Sequence, residues 1–266
     1  MSDRGISAVS GAFESYRDSD DAALVVYLMA GYPNSEQSMS CARAALEAGA
    51  DLLEIGVPFS DPVADGKVIQ KASDVALESG MTLALAMDFV SELRKDFEEP
   101  IVLMSYLNPI YKMGFSKFVE RAKSKGIDGV IIPDLIPDEA AEYMKIAKEN
   151  NFALVFLASS NGADDRLVQA CQTTQGFLYT LALAGVTGER EELDSSLLPY
   201  LDRLKALRDK SGSEIPLAVG FGVSKPEHFN ALKSHVEGIV VGSAIVRRSG
   251  ECAEAVREFV SDLRGT

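Results

Sequence analysis

The sequence predicts an α/β protein, namely a single-domain (β/α)8 barrel that takes in all of residues 1–266. Short apolar runs rich in β-branched residues alternate with longer amphipathic segments as far as the C-terminus, and no Pro/Gly/Ser-rich linker divides them. Most of the eight runs are apolar throughout, which is typical of parallel strands covered on both faces. An open, doubly wound sheet is the structural alternative, because periodicity alone does not show whether a sheet closes.

The predicted strands follow one another at the spacing of βα units. They are residues 24–30, 51–57, 101–106, 128–134, 153–158, 176–182, 216–221 and 237–242. The opening segment "GISAVSGAFESYR" predicts a helix before the first strand. The interval between the second and third strands is unusually long, and it predicts an extra helix there.

Composition excludes several classes of function. The formal net charge of −14 repels the phosphates of nucleic acids and anionic lipids, so an anionic ligand must be held by a local feature such as backbone amides. The apolar runs are far shorter than the roughly 20 residues of a membrane-spanning helix, and the N-terminus lacks the pattern of a signal peptide. We therefore expect a cytoplasmic protein with no membrane partner. Three cysteines and two histidines form no metal-ligand or disulfide pattern, so we expect no metal.

A glutamate stands inside the second predicted strand, "DLLEIGV". Because strand side chains alternate between faces, Leu53 and Ile55 share one side and Glu54 lies on the other. The outer side of a barrel strand packs on apolar helices, which leaves the barrel mouth as the place that tolerates Glu54. Partial desolvation there raises a carboxyl pKa towards neutrality, which suits a group that both gives and takes a proton. An ion-paired structural glutamate is the other interpretation of the same pattern.

The segment "GVPFSDPVADG" continues this strand as a polar loop. It leaves the C-terminal end of the strand, the face where barrel enzymes place their chemistry. Asp61 and Asp65 are both candidates for a second carboxylate. Each also stands in common turn chemistry, Asp before Pro and Asp before Gly, and the spacing does not choose between them.

Three glycine-containing corners follow the last three predicted strands: "LAGVTGE", "VGFGVS" and "IVVGSAI". Each offers backbone N–H groups at a strand-to-helix turn, and the last two stand where barrels bind phosphate with loop amides and a helix N-terminus. The corners predict a phosphate site built from amides, with ordinary loop glycines as the alternative. Tyr179, near the end of the sixth strand, is a candidate to reach a carboxylate across the mouth or is a core tyrosine with a satisfied hydroxyl.

A series of segments matches the pattern of one family, in that family's order. They are "AFESYR", "MAGYP", "LLEIGVPFSDPVADGKVIQ", "MSYLNPIYKMG", "GVIIPDLIPDEA", "LAGVTGE", "GFGVS" and "IVVGSAIV". The stretch "EIGVPFSDPVADG" is highly specific for this family. Over most of its length the chain therefore resembles the tryptophan synthase alpha chain.

The resemblance implies a (β/α)8 lyase that cleaves indole-3-glycerol phosphate to indole and glyceraldehyde 3-phosphate by a retro-aldol reaction, in tryptophan biosynthesis. It implies no cofactor in this chain. Pyridoxal phosphate is expected only in the partner, the tryptophan synthase beta chain, which receives the indole through a channel. The assembly expected from the resemblance is an α2β2 tetramer.

The resemblance also assigns residues by their positions in the matching segments. Glu54 corresponds to the general acid/base, Asp65 to the acid that holds the indole N–H, and Tyr179 to the tyrosine beside the glutamate. Asp61 falls in a part of the loop that faces the beta chain. The substrate-binding positions near the indole ring are Tyr27 and Phe221. Those at the phosphate are Gly188, Gly222, Gly242 and Ser243. Thr187 is a further substrate-binding position.

The sequence departs from the family's pattern at a few loop positions. Ala182 and Leu183 stand where many members have polar or basic residues, Lys67 stands where proline is frequent, and "ASSN" at 158–161 replaces a turn that commonly contains proline. The resemblance implies that these loops close over substrate. Two other functions stay open, a self-sufficient indole-producing lyase and a catalytically weak subunit that mainly activates the beta chain. The intact Glu54 and Asp65 argue against the second.

Overall fold

The computed structural model describes residues 4–181, 195–220 and 222–265. Within these ranges the chain forms nine short strands, all buried or nearly so. They are β1 Ala23–Met29, β2 Leu52–Gly56, β3 Ile101–Met104, β4 Gly129–Ile131, β5 Ala153–Val155, β6 Leu157–Ser159, β7 Leu178–Leu181, β8 Leu217–Gly220 and β9 Gly238–Val241. Each predicted strand overlaps an observed one, and the fifth is observed as two pieces. The strand breaks at Phe156 because its N–H donates to the Thr174 hydroxyl (3.0 Å) rather than to a neighbouring strand.

The sheet closes into a barrel. Its strands run in the order β5-β4-β3-β2-β1-β9-β8-β7-β6, and every neighbouring pair is parallel. The two ends of this order, β5 and β6, are consecutive pieces of one predicted strand, so the order returns to its starting point. This confirms the predicted (β/α)8 barrel and excludes the open doubly wound sheet.

Helices follow the strands and surround the barrel. They are α1 Ile6–Glu14, α2 Ser35–Glu47, α3 Lys67–Glu78, α4 Leu83–Leu93, α5 Leu107–Met113, α6 Phe115–Ser124, α7 Ala141–Glu149, α8 Asp164–Thr173, α9 Leu197–Lys210, α10 Pro226–Leu232, α11 Ser243–Ser249 and α12 Ala253–Arg264, with a 3-10 helix at Pro137–Glu139. The predicted N-terminal helix is α1, and the long interval after β2 holds both α3 and α4, so both extra helices are confirmed. No helix in the described ranges is long and apolar enough to cross a bilayer.

The N-terminal end of the barrel, here called the floor, is sealed by α1. Val9 and Phe13 of this helix are fully buried among the inward-facing strand residues, and the Phe13 ring lies 5.1 Å from the ring of Phe177. Glycines make room for them: a Cβ on Gly176 would lie 2.5 Å from Val9 Cγ1, and one on Gly238 would lie 2.3 Å from Phe13 Cε1. The floor therefore consists of closely packed hydrocarbon.

Three acidic residues hold the strand starts together at the floor, and we call them the strand clamps. Asp51, Asp128 and Glu237 each stand one position before a strand, β2, β4 and β9 respectively. Each carboxylate accepts the N–H of the first or second residue of a neighbouring strand, at distances of 2.7 to 3.0 Å. Each also pairs with an arginine from the outer layer: Arg264, Arg94 and Arg208. The clamps tie neighbouring strands to helices on the side of the barrel opposite the mouth.

Candidate active site

Glu54 lies in the middle of β2 with its side chain inside the barrel, towards the C-terminal ends of the strands. In the strand register it stands beside Tyr27 of β1 and Val102 of β3, whereas Leu53 and Ile55 pack outwards against the helices. Glu54 is 1 % exposed, and neither carboxyl oxygen has a hydrogen-bond partner in the part of the chain that the structure describes. Burial, and then the nearby charge of Asp65, raise the pKa of Glu54 from 4.5 to about 8. No described residue forms an ion pair with this side chain, in contrast to the ion-paired glutamate that the sequence also allowed.

The structure separates the two aspartates of the loop after β2. Asp61 is exposed and accepts a hydrogen bond from the neighbouring Ser60 hydroxyl (2.6 Å). Asp65 is buried, and its Oδ2 accepts a hydrogen bond from the Tyr106 hydroxyl (3.1 Å). Burial raises the pKa of Asp65, while this hydrogen bond opposes the rise. Asp65 is therefore the loop carboxylate that faces the same interior as Glu54.

Two tyrosines stand beside the carboxylates, and each depends on a glycine of a neighbouring strand. A Cβ on Gly56 would lie 2.2 Å from the Tyr27 hydroxyl, and one on Gly220 would lie 2.7 Å from the Tyr179 hydroxyl. Both phenol pKa values are raised by burial and by the nearby carboxylates Glu54 and Asp65. The two rings therefore lie within the electrostatic reach of both acids.

These groups line one cavity of about 50 Å³ at the barrel mouth. Its polar members are Tyr27, Glu54, Asp65 and Tyr179, and its other lining residues are Ala64, Ile69, Met104, Ile131, Leu157, Leu181 and Gly242. Such a volume holds one or two water molecules. A ligand of the size of a fused aromatic ring enters only when the lining moves apart, and the apolar side chains then offer it a non-polar surface.

The predicted phosphate corners lie partly inside the described ranges. Gly222 adopts a φ of 56°, a backbone conformation that favours glycine. Gly242 lines the cavity, and the buried Ser243 begins α11. The predicted residues Thr187, Gly188 and Phe221 lie outside the described residues, as do Ala182 and Leu183. Lys67 is exposed as the first residue of α3.

No role was predicted from the sequence for Tyr106, which the structure places against Asp65. Its position at the C-terminal end of β3 was the available signal, because side chains at the strand ends surround the mouth of a barrel. Among the described residues no group of three or more His, Cys, Asp or Glu side chains is arranged to hold a metal ion.

Comparison with known proteins identifies similar chains along almost the full length. The model of the family described as tryptophan synthase alpha chain matches residues 13–264. The tryptophan synthase alpha chain of Aquifex aeolicus is 40% identical over 263 residues, covering 96% of this chain and 98% of the relative. That of Solibacter usitatus is 38% identical over 250 residues, covering 94% and 92%.

Solved structures agree with the fold. Mycobacterium tuberculosis tryptophan synthase contains a chain that superposes with a TM-score of 0.88 at 31% identity, covering 97% of this chain and 96% of that one. A chain of the Pyrococcus furiosus tryptophan synthase complex superposes with a TM-score of 0.84 at 39% identity, covering 92% and 99%. The similarity thus extends over the barrel as a whole.

Proposed function

Because the chain belongs to the tryptophan synthase alpha chain family, we propose that it is the lyase subunit that cleaves indole-3-glycerol phosphate to indole and glyceraldehyde 3-phosphate in tryptophan biosynthesis. The observation that carries this proposal is the state of Glu54. It is a buried carboxyl group without a hydrogen-bond partner in the described ranges, and its pKa is raised to about 8. At neutral pH it is mostly an acid with a proton to give.

The chemical difficulty of this cleavage is that an aromatic indole carbon is a poor leaving group. Glu54 donates its proton to C3 of the ring, which converts the indole to an indolenine. The bond between C3 and the hydroxyl-bearing carbon of the side chain then breaks, and its electron pair returns to the ring. The ionised Glu54 takes the proton of that hydroxyl as its carbon becomes the aldehyde. One proton enters and one leaves, so Glu54 ends in its starting state.

The second carboxylate stabilises the ring nitrogen. Protonation at C3 places positive charge on the indole nitrogen, so an acceptor for its N–H stabilises the intermediate more than it stabilises the substrate. Asp65 has an oxygen available for this role, because Oδ2 is engaged by Tyr106 and Oδ1 accepts no hydrogen bond from a described residue. We assign Tyr179 to the wall of the site beside Glu54, and Tyr27 and Phe221 to the surroundings of the indole ring.

We assign the phosphate to backbone amides and one hydroxyl. Gly222 stands two positions after β8, Gly242 directly follows β9, and Ser243 begins the next helix. Helix N-termini and glycine turns attract anions, and a net charge of −14 makes such a local site necessary. We assign Gly188 to the same anion and Thr187 to substrate binding.

A beta chain is the partner that we propose, in an α2β2 assembly. One similar structure is described as a tryptophan synthase α2β2 complex from Pyrococcus furiosus with mutual activation. In this chain three large apolar side chains are exposed at the mouth, and we call Val63, Tyr111 and Ile136 the mouth patch. They follow β2, β3 and β4 in turn. A partner that covers them buries apolar surface next to the loop that carries Asp65.

This assignment places no cofactor in the chain itself, and pyridoxal phosphate belongs to the beta partner. The chemistry above supports this, because cleavage needs two carboxyl groups and an anion site but no electron sink beyond the indole ring. We further propose that the protein works in the cytoplasm.

The deciding experiment is the release of indole from indole-3-glycerol phosphate by the purified chain, with a beta chain titrated in. We expect indole from the chain alone and a higher turnover as the complex forms, because covering the mouth patch orders the loop that holds Asp65. Absence of indole under both conditions overturns the lyase assignment. A turnover that stays flat while complex formation is confirmed favours the self-sufficient lyase. Activation of the beta chain without cleavage favours the weak subunit.

A further inference from the structure

Tyr106 is a buried tyrosine that the mechanism above does not use. It follows β3, occupies the N-cap position of α5 and is 4 % exposed. Although it belongs to a different βα unit from Asp65, its side chain makes three contacts with the loop after β2. These contacts join the loop to the end of β3 at the rim of the cavity.

The three contacts involve both the hydroxyl and the ring. The Tyr106 hydroxyl donates to Asp65 Oδ2 at 3.1 Å and accepts the backbone N–H of Ala64 at 3.0 Å. The ring stacks on Phe59, with centroids 5.0 Å apart and planes 27° apart. The contacts therefore hold the loop at both of its ends, before and after the exposed Asp61.

These contacts fix the direction of the phenol proton. The phenol oxygen receives a hydrogen from Ala64, so its own single hydrogen points towards Asp65 Oδ2. A donor in this position favours the ionised carboxylate, and it opposes the rise in the pKa of Asp65 that burial causes. The ionised form is the one that accepts an N–H at the other oxygen.

We propose that Tyr106 is a positioning residue that fixes the Asp65 carboxylate, through its phenol O–H, in the orientation that receives the ring N–H of the substrate. This inference rests on the proposed function and adds a residue to it. Tyr106 does not touch the reacting atoms in this scheme. It engages Oδ2, and this contact directs Oδ1 of Asp65, which accepts no hydrogen bond from a described residue.

A pH test of this proposal depends on the titratable groups that surround Asp65. The groups whose pKa values respond to its charge come from four elements around the mouth: Glu54 of β2, Tyr27 of β1, Tyr179 of β7 and Tyr106 after β3. At neutral pH the phenols are neutral, since each of their pKa values is raised. Loss of the Tyr106 hydroxyl therefore acts on Asp65 by removing a donor and not by changing a charge.

The test is Tyr106→Phe, which keeps the ring that stacks on Phe59 and removes only the hydroxyl. We expect kcat for indole release to fall roughly tenfold with little change in KM, because a charge-assisted hydrogen bond that orients a transition-state contact is lost. The acid limb of the kcat/KM profile should move to higher pH. The sign follows because Asp65 must be ionised, and its pKa rises when a donor to the carboxylate is removed.

Tyr200→Phe is the matched control. Tyr200 is also buried, at 5 % exposed, and its hydroxyl donates a single hydrogen bond, to the Ala158 carbonyl at 3.2 Å, outside the cavity. We expect both variants to lower the melting temperature by a similar amount, and only Tyr106→Phe to change kcat and the acid limb. Equal kinetic effects in the two variants would overturn the proposal, because they would reduce Tyr106 to a structural residue.

A double-mutant cycle with Asp65→Asn separates this inference from the proposed function. If Tyr106 acts through Asp65, removal of its hydroxyl has little further effect once the carboxylate is absent. The same roughly tenfold loss in the Asp65→Asn background would overturn the proposal. A wild-type chain that releases no indole would instead defeat the proposed function itself.

Discussion

Two buried carboxylates at opposite ends of the barrel have the same exposure and opposite surroundings. Asp128 at the floor and Glu54 near the mouth are each 1 % exposed. Asp128 accepts N–H bonds from Gly5 (2.9 Å) and Ile101 (3.0 Å) and pairs with Arg94 (2.6 Å). Glu54 accepts none in the described ranges. Burial alone therefore does not decide what a carboxyl group does in this protein.

The difference lies in whether the desolvation of the carboxylate is compensated. At the floor, hydrogen bonds and an arginine compensate it, and the carboxylate contributes to the stability of the fold. Near the mouth it is uncompensated, so the group keeps its proton to an unusually high pH. The same residue type thus supports the barrel at one end and chemistry at the other, and variants at the two ends should have opposite effects.

The largest expected effect is on turnover, from Glu54→Gln. The amide keeps the size of the side chain but has no transferable proton, so indole release should fall by about 10²–10⁴-fold while binding of a substrate analogue changes little. Steady-state kinetics and calorimetric titration measure the two quantities. Retention of more than roughly a tenth of the turnover would show that Glu54 is not the proton carrier.

The same variant should make the protein more stable near neutral pH. The pKa of Glu54 is about 8 in the folded chain against an ordinary value of 4.5, so the folded state holds a proton that the unfolded state loses. Stability of the native chain therefore falls as pH rises from about 4.5 to about 8. Glu54→Gln removes that loss, worth up to roughly 3 kcal/mol at pH 7. Urea unfolding of both chains across this pH range measures it.

Asp128→Asn should show the opposite pattern. It leaves Arg94 without its buried partner, so the free energy of unfolding should fall by about 3 kcal/mol while kcat/KM of the folded chain stays unchanged. Asp96→Asn is the control, since Asp96 pairs with Arg43 at the surface and should cost at most about 1 kcal/mol. A loss of turnover in Asp128→Asn that exceeds its loss of folded protein would break the distinction between floor and mouth.

A pH profile examines the uncompensated carboxyl directly. Cleavage begins with protonated Glu54, so kcat/KM should fall about tenfold for each pH unit above the pKa of about 8. The limb should persist in Asp128→Asn, because the floor carboxylate does not face the cavity. A profile that stays flat well beyond this pKa would indicate that another group delivers the proton.

The smallest expected effect concerns the anion site. Inorganic phosphate at millimolar concentration should compete with substrate and raise the apparent KM severalfold without changing kcat, because helix N-termini and glycine turns attract anions. A phosphate or sulfate in a crystal grown at that concentration should lie near Gly188, Gly222, Gly242 and Ser243. An anion held by lysine and arginine side chains elsewhere on the barrel would contradict the assignment.

The sequence predicted the fold closely because its signals are local. Eight apolar runs and their spacing gave the strands and the barrel, since parallel strands covered on both faces must be apolar throughout. Alternation also placed Glu54 on the inner side of β2, where the structure has it. The separate short helix α5 was not predicted, because seven residues carry too little periodicity to distinguish a helix from a loop.

Contacts between residues far apart in the sequence were harder to predict from it. The spacing did not choose between Asp61 and Asp65, because the choice depends on how a loop folds over the mouth. Tyr106 lies 41 positions from Asp65, and the strand clamps join residues up to 213 positions apart, as Asp51 and Arg264 do. Such pairs follow from the closure of the barrel and not from any local pattern.

The sealed floor also determines the route by which substrate and products enter and leave the barrel. The apolar side chains of Val9, Phe13 and Phe177 fill the interior between the floor and the carboxylates, so the described barrel is closed at its N-terminal end. Substrate and products must share one opening. We expect a partner bound on the mouth patch to cover this opening, so that a small apolar product meets it on leaving the barrel. The helix α1 therefore limits access to the barrel interior to the end that carries the mouth patch.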